Sequence, residues 1–389
     1  MQTQEFDVVV VGGGLVGSSL VAGLAGTGLR VARVDAAAEA PGGRQDHEWD
    51  VRVFAISPGS ERFLTSIGAW PLDASRIAPV RGMRVFGDAG GRIEFDAREA
   101  GAAHLASIVE NRVLMAALCE QLSRQADLTV VKGTAVRVEF ADGFAALGLE
   151  DGSQLRARLL VGADGARSWV REQAGIEASV RPYRQTAVVA NFACSRPQRD
   201  LAWQWFRPDG VLALLPLPGQ RCSMVWSAAE DVAAELMTLD AGKLAARVAE
   251  AAGETLGVLE TITAAAWFPL QLVQVEALIR PRLALVGDAA HNLHPLAGQG
   301  VNLGFQDARE LAQVLRERGA CSDVGEYRLL RRYERARRED VLAMTVTTDG
   351  LQRLFGHSGR PLRWMRNGGL ALVNRALPLK RLLIRQAFG

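Results

Sequence analysis

Cysteine is scarce: four in 389 residues, at 119, 194, 222 and 321, with no CxxC pair. That spacing excludes a disulfide scaffold and fits free thiols in a reducing compartment. The five histidines, at 47, 104, 291, 294 and 357, do not pair with cysteines at zinc-ligand spacing. No uninterrupted apolar run reaches the roughly 18 residues of a membrane span. The start, MQTQEFDVVVVGGG, has no basic stretch ahead of its apolar run, so it does not read as a secretion signal and the expected location is the cytoplasm. A surplus of one charge is missing too. Lys and Arg number 45 against 43 Asp and Glu, a net charge of +2, which gives no whole-molecule attraction to nucleic acid. Lysine occurs only at 132, 243 and 380, so arginine carries nearly all the basic charge, which reads as genomic base composition.

What is present describes an ordinary globular chain: 49% apolar and 23% charged residues, with length enough for two domains or one domain with a large insertion. Forty glycines against fourteen prolines favour tight turns and close backbone approaches. Phe6 to Val11 is a β-branched run suited to a strand buried on both faces. A glycine loop follows, then a small apolar helix from Leu15 to about Thr27, then a strand from Leu29 to Val34 that ends in Asp35: a βαβ unit. Residues 36–50 read as a long loop. Helices are expected near 58–68 and 110–124, and strands over 82–97, 128–160 and 183–227. One alanine-rich helix is expected over 229–251. A strand near 283–286 precedes helices that dominate to the end, including an arginine-rich one near 326–345. There is no internal repeat.

Gly12, Gly14 and Gly17 form GxGxxG between strand and helix. The first glycine permits the turn, the second lets backbone approach a pyrophosphate, and the third packs helix on strand. Leu15 and Val16 open that helix, whose N-terminal N–H groups face the anion. Asp35, 23 residues after Gly12, is placed to accept from ribose hydroxyls. This fingerprint alone does not separate FAD from NAD.

Two further strand ends carry an acid in a small-residue turn: Leu159–Ser168, with Asp164, and Leu283–His291, with Gly287 and Asp288. The run His294-Pro295-Leu296-Ala297-Gly298-Gln299-Gly300-Val301-Asn302-Leu303-Gly304 follows the second. Three such turns, more than a hundred residues apart, point to one elongated cofactor touched at several strand ends. With these motifs the chain resembles the group A flavoprotein monooxygenases, the para-hydroxybenzoate hydroxylase-like aromatic hydroxylases. Within that class, His294 to Asp307, Val109-Glu110-Asn111-Arg112, Asp50-Val51-Arg52 and the ending Leu383 to Gly389 are similar to the ubiquinone-biosynthesis hydroxylases.

The resemblance covers essentially the whole chain and implies an α/β fold. A Rossmann-like FAD-binding domain (1–80, 100–178, 275–335) would carry an inserted, mainly antiparallel substrate sheet (81–99, 179–274), with a helical C-terminus (336–389). It implies hydroxylation of a polyprenylated phenol or quinol in ubiquinone biosynthesis, with FAD as cofactor and NAD(P)H and O2 as co-substrates, through a flavin C4a-hydroperoxide. A ubiquinone-biosynthesis protein complex is the implied assembly. Gly12, Gly14 and Gly17 would hold the pyrophosphate and Asp35 the adenosine ribose, where the family more often has Glu. Arg52 and Arg112 would face the phosphates or the ribityl chain, the bland alternative being surface ion pairs. Asp164 would lie near the pyrophosphate, and Gly287-Asp288 would meet the ribityl hydroxyls. Pro295, Gly298, Gln299 and Gly300 would form the loop at the flavin's reacting edge. Gly300, Val301 and Asn302 would open the helix whose dipole faces it.

His291 and His294 read as hydrogen-bonding residues of that loop, with a proton-transfer role as the sharper alternative. No general base is identifiable, and Tyr183 is a weak candidate. Trp203, Trp205, Phe206, Leu212, Leu214, Leu215 and Trp226 could line a pocket for a prenylated ring; for most of them a sheet-core role is the simpler expectation. Residues 360–389 hold seven basic residues and no acid, interleaved with apolar ones. They fit either an anionic membrane surface, here the inner membrane, or a helix packed on the FAD domain. The tail and the arginine-rich helix lean the ring position toward C5. Rival readings are a hydroxylase of another aromatic or polyketide, a flavin reductase or dehydrogenase, and a non-enzymatic flavin-binding component.

Overall fold

A computed structural model describes residues 3–36, 48–71, 73–88, 90–293, 300–319, 322–356 and 380–381. Strand Thr3–Val11 lies in the middle of the first sheet, and Val8 to Val10 are fully buried. It pairs in parallel with Gln154–Gly162 on one side and Val31–Asp35 on the other. Leu283–Leu285 continues the parallel sheet beyond Gln154–Gly162, and Leu128–Lys132 beyond Val31–Asp35. Helices α1 (Leu15–Gly23), α2 (Pro58–Ser66) and α3 (Asn111–Ser123) belong to this half. Ser57 caps α2 by accepting from Ser60 N–H, ahead of a proline in the first turn. Helix α1 ends at Gly23, earlier than Thr27, because residues 24–27 turn on shorter-range hydrogen bonds such as Thr27 N–H to the Leu24 carbonyl.

The second sheet is mainly antiparallel. Its strands run, in spatial order, 291–292, 266–275, 178–194, 221–229, 210–217, 201–207, 82–86 and 92–96. Only 201–207 and 82–86 pair in parallel. A short helix, α4 (Trp169–Gln173), precedes the long strand 178–194 of this sheet. The single helix expected over 229–251 is two, α5 (Glu230–Thr238) and α6 (Ala241–Ala251). The break has a local cause: Asp240 accepts from Lys243 N–H at 2.8 Å and starts a new helix. Both helices cover one face of the sheet. There Trp226, Leu212, Leu214, Val188 and Phe192 are buried with Leu236, Leu244 and Val248, and Trp203 and Trp205 pack on the cluster. These residues are core, as the simpler expectation had it. Leu215 and Phe206 lie in two smaller clusters.

Helices α7 (Gly300–Arg316) and α8 (Tyr327–Gly356) complete the described fold. Helix α8 runs without a break across 335–336, where the C-terminal helices were expected to begin. Its arginine-rich face is not simply solvated: Tyr333, Glu334 and Arg337 are buried. Glu334 accepts from Leu278 N–H and pairs with Arg331. Among the described residues no helix is long and apolar enough to cross a membrane.

Candidate cofactor site

Sheet register brings the three motif turns to one edge. Val11 pairs with Gly162, and Gly162 with Leu285, so residues 12–17, 163–168 and 286–291 leave three adjacent strands side by side. Such an edge, beyond the carboxyl ends of parallel strands, is where α/β sheets bind ligands. The glycines match the contacts. Gly12 has φ +115°, and a Cβ there would stand 2.2 Å from the Ala163 carbonyl oxygen. A Cβ on Gly17 would stand 2.1 Å from the Gly12 carbonyl oxygen. Gly14, at the start of α1, has nothing within 4 Å of the position a Cβ would take. The first and third glycines therefore fix the turn, and the second leaves open space beside a helix N-terminus, a cradle that fits a pyrophosphate. Leu15 is buried beneath it, and Val16 packs against Gly287 and Gly304. The Asp35 carboxylate lies over Gly13, against the glycine loop.

Asp164 is already engaged. It accepts from the Ser168 hydroxyl at 2.6 Å and from Val170 N–H at 3.0 Å, organising the start of α4. From α4 comes a residue the sequence reading missed: Arg171, buried, donates to the Ala289 carbonyl at 3.0 Å and the Ala166 carbonyl at 3.1 Å. It staples the Asp164 turn to the Asp288 turn.

The Asp288 side chain is exposed, and partial loss of hydration beside the neighbouring turns raises its pKa against the lowering pull of His291 and Arg52. Arg52 stands over the rings of Phe54 and Phe268, at 5.7 and 5.6 Å, the second of them on the antiparallel sheet. Asp50 accepts from the backbone N–H groups of Arg52 at 3.0 Å and Arg112 at 3.2 Å, fixing the main chain that carries both. Glu110, fully buried, accepts from Asp50 N–H at 2.5 Å and pairs with Arg76 at 2.7 Å and Arg112 at 3.4 Å. Of the two predicted arginines, Arg112 thus pairs with the buried acid itself, and Arg52 is linked to it only through Asp50.

Burial pushes the Glu110 pKa up, outweighing the lowering by Asp50 N–H, Arg76 and Arg112. A raised folded pKa stabilises below the unfolded value, about 4.3, and is lost as pH rises through the folded value. The stability advantage of the native chain over Glu110→Gln is therefore expected to be largest near pH 4 and to shrink toward pH 7. Urea unfolding at both pH values checks this; a gap that widens toward pH 7 contradicts it.

Asn302 spends its side chain on structure: its amide donates to the Ala55 carbonyl and accepts from Ser57 N–H, both at 2.8 Å. Gly300 has open space around it, and Val301 is partly buried against the first core. His291 is buried and hydrogen-bonded to Asp307 at 2.7 Å, a fixed structural partner. Tyr183 packs with Leu272, Leu293, Leu303, Val341 and Met344. His294, Pro295, Gly298 and Gln299 lie outside the described residues, as does the tail apart from 380–381. Lys380 is buried and paired with Glu99 at 2.8 Å, beyond the edge strand of the second sheet.

Residues 5–348 match the family described as FAD binding domain. The chain is 39% identical over 388 residues to the ubiquinone hydroxylase UbiL of Rhodospirillum rubrum, covering 98% of this chain and 89% of that one. It is 36% identical over 392 residues to 3-demethoxyubiquinol 3-hydroxylase of Escherichia coli, covering all of both. The structure of p-nitrophenol 4-monooxygenase from Pseudomonas putida superposes with a TM-score of 0.80 at 20% identity, over 100% of this chain and 99% of that one, a likeness of fold alone.

Proposed function

The chain belongs to the FAD-binding domain family, and on that premise we propose that its three strand-end turns hold one FAD along the carboxyl edge of the parallel sheet. It is an FAD-dependent hydroxylase of ubiquinone biosynthesis, using NAD(P)H and O2 on a prenylated aromatic ring. The observation that carries this reading is full-length similarity to ubiquinone hydroxylases, joined to a glycine cradle open at Gly14.

Bound FAD supplies the redox chemistry and the activation of O2; the protein holds, shields and polarises. Gly14 and the N-terminus of α1 take the pyrophosphate, with Asp35 on the adenosine ribose. Asp288 accepts from the ribityl hydroxyls, and Arg52 and Arg112 supply positive charge. Asp164 acts through the turn it organises. Gly300, Val301 and Asn302 offer first-turn N–H groups to the flavin edge, and Pro295, Gly298 and Gln299 shape the loop before them.

The substrate wall is the sheet face turned away from α5 and α6. Val188 and Ala190 point into the helix-covered core, so Ala187, Val189 and Asn191 point the other way. Register adds Val225, Ala213 and Leu215 to that face. The same register puts Ser223 and Ser227 there beside Asn191, so the named residues of this face are small aliphatic and neutral polar groups, a lining that suits an uncharged ring bearing hydroxyls.

The enzyme incubated with 18O2, NAD(P)H and a prenylated phenol is expected to give product carrying one labelled oxygen. Unlabelled product, or NAD(P)H oxidation with no product, would refute the hydroxylase. Asp288→Ala is expected to weaken FAD binding about tenfold, the scale of one hydrogen bond to a charged group. Unchanged affinity in a fluorescence titration would remove Asp288 from the site. Because the substrate is a lipid, the basic tail is assigned to an anionic membrane surface, within a ubiquinone-biosynthesis assembly. Deletion of 360–389 is expected to reduce co-sedimentation with anionic vesicles; equal co-sedimentation leaves the tail as packing only.

A further inference from the structure

We propose that Asp307 is a positioning residue that aims the Asp288 carboxylate at the flavin; this rests on the assignment of Asp288 to the ribityl chain. Asp307 lies on α7 with no exposed surface. One carboxylate oxygen, Oδ2, accepts from Gly287 N–H at 2.9 Å and from His291 Nε2 at 2.7 Å. The other, Oδ1, accepts from Arg337 Nε on α8 at 2.7 Å. Gly287 and His291 bracket Asp288, so a single oxygen grips both ends of the turn from inside and leaves Asp288 as its outward residue. Gly287 is further confined by φ +62° and by the Val16 side chain, 3.1 Å from where its Cβ would be.

A buried carboxylate is a poor device for stability alone, since apolar groups of similar volume commonly do as well. It is a good device for fixing direction. An apolar side chain could fill the volume but could not hold two donors of one turn to a common point. Arg337 keeps the charge neutral at the site; it also reaches Asp340 at 2.7 Å, which anchors it to α8. Asp307 closes the motif that begins at His294, and no step assigned to the flavin-edge loop uses it.

Asp307→Asn separates aiming from filling. The amide has one acceptor, so it can serve the turn or Arg337 but not both. FAD and ADP titrations of the apoprotein read the outcome, because ADP occupies only the half of the site away from Asp288. Asp307→Asn is expected to weaken FAD at least about tenfold while the ADP affinity stays within twofold. Adding Arg337→Met removes the competing donor, and the double variant is expected to recover most of the FAD affinity. Histidine gives a parallel pair: His291→Gln keeps a donor toward Asp307 and should bind FAD like the native chain, whereas His291→Leu should lose about fivefold. Equal losses for FAD and ADP in Asp307→Asn would overturn the inference in favour of general loosening. So would a loss in Asp288→Ala with none in Asp307→Asn. Unchanged FAD affinity in Asp288→Ala would overturn the ribityl assignment itself and this inference with it.

Discussion

Gly12→Ala is expected to yield protein without bound flavin and with a weakened fold. The new methyl would meet the Ala163 carbonyl carbon at 2.5 Å as well as its oxygen at 2.2 Å, at a φ of +115° that L-residues avoid. Ala163 has no room to yield, because its N–H is held by the Val11 carbonyl at 2.8 Å and Val11 is in register with Gly162. Backbone strain alone costs about 1–3 kcal/mol, and the clash between two adjacent strand ends adds to it. Gly14→Ala is the informative partner. With nothing within 4 Å, its methyl costs the apoprotein little but projects into the pyrophosphate cradle. Melting of the two apoproteins and their FAD titrations check the pair: Gly12→Ala loses stability and flavin, Gly14→Ala flavin alone. Full flavin affinity in Gly14→Ala would place the pyrophosphate elsewhere.

Asp307→Ala is expected to cost about 3–5 kcal/mol, the usual result of removing one partner from a buried ion pair. Arg337 and His291 would be left without the carboxylate that both now use. The pH dependence has a definite sign. Burial raises the Asp307 pKa, but His291 and Arg337 outweigh it and hold it below the ordinary carboxylate value. A depressed folded pKa means stability present above the unfolded value, about 3.9, and lost as pH falls through the folded one. The gap between the native chain and Asp307→Ala should be flat from pH 7 to about pH 5 and narrow below about pH 4. A gap that grows on acidification would contradict the charged pairing.

The sequence made the cofactor edge legible because each of its three turns is a local pattern: an apolar strand, then small residues, with an acid inside the second and third turns and at the end of the strand after the first. Their adjacency also followed, since one extended ligand accounts for three similar strand ends. The break at Asp240 was equally local, but composition over 229–251 masked a cap that one residue supplies. What could not be read were side chains whose partners lie far along the chain. Arg171 reaches Ala289, Asn302 reaches Ala55, and Glu334 reaches Leu278. Nothing in the spacing around those residues encodes the partner, because the sheet order creates the contact. Asp307 is the sharpest instance. It sits in a polar-looking stretch of an amphipathic helix, and only the packing of α8 against α7 reveals that it is buried and triply bonded.

Ring hydroxylation in ubiquinone synthesis is read out by the quinones of cells lacking this protein, grown with oxygen and profiled by mass spectrometry. Such cells are expected to accumulate a prenylated precursor short of one ring oxygen, whose missing position names the carbon attacked, and to regain ubiquinone with the native chain but not with Gly12→Ala. A normal ubiquinone level with no precursor would contradict it.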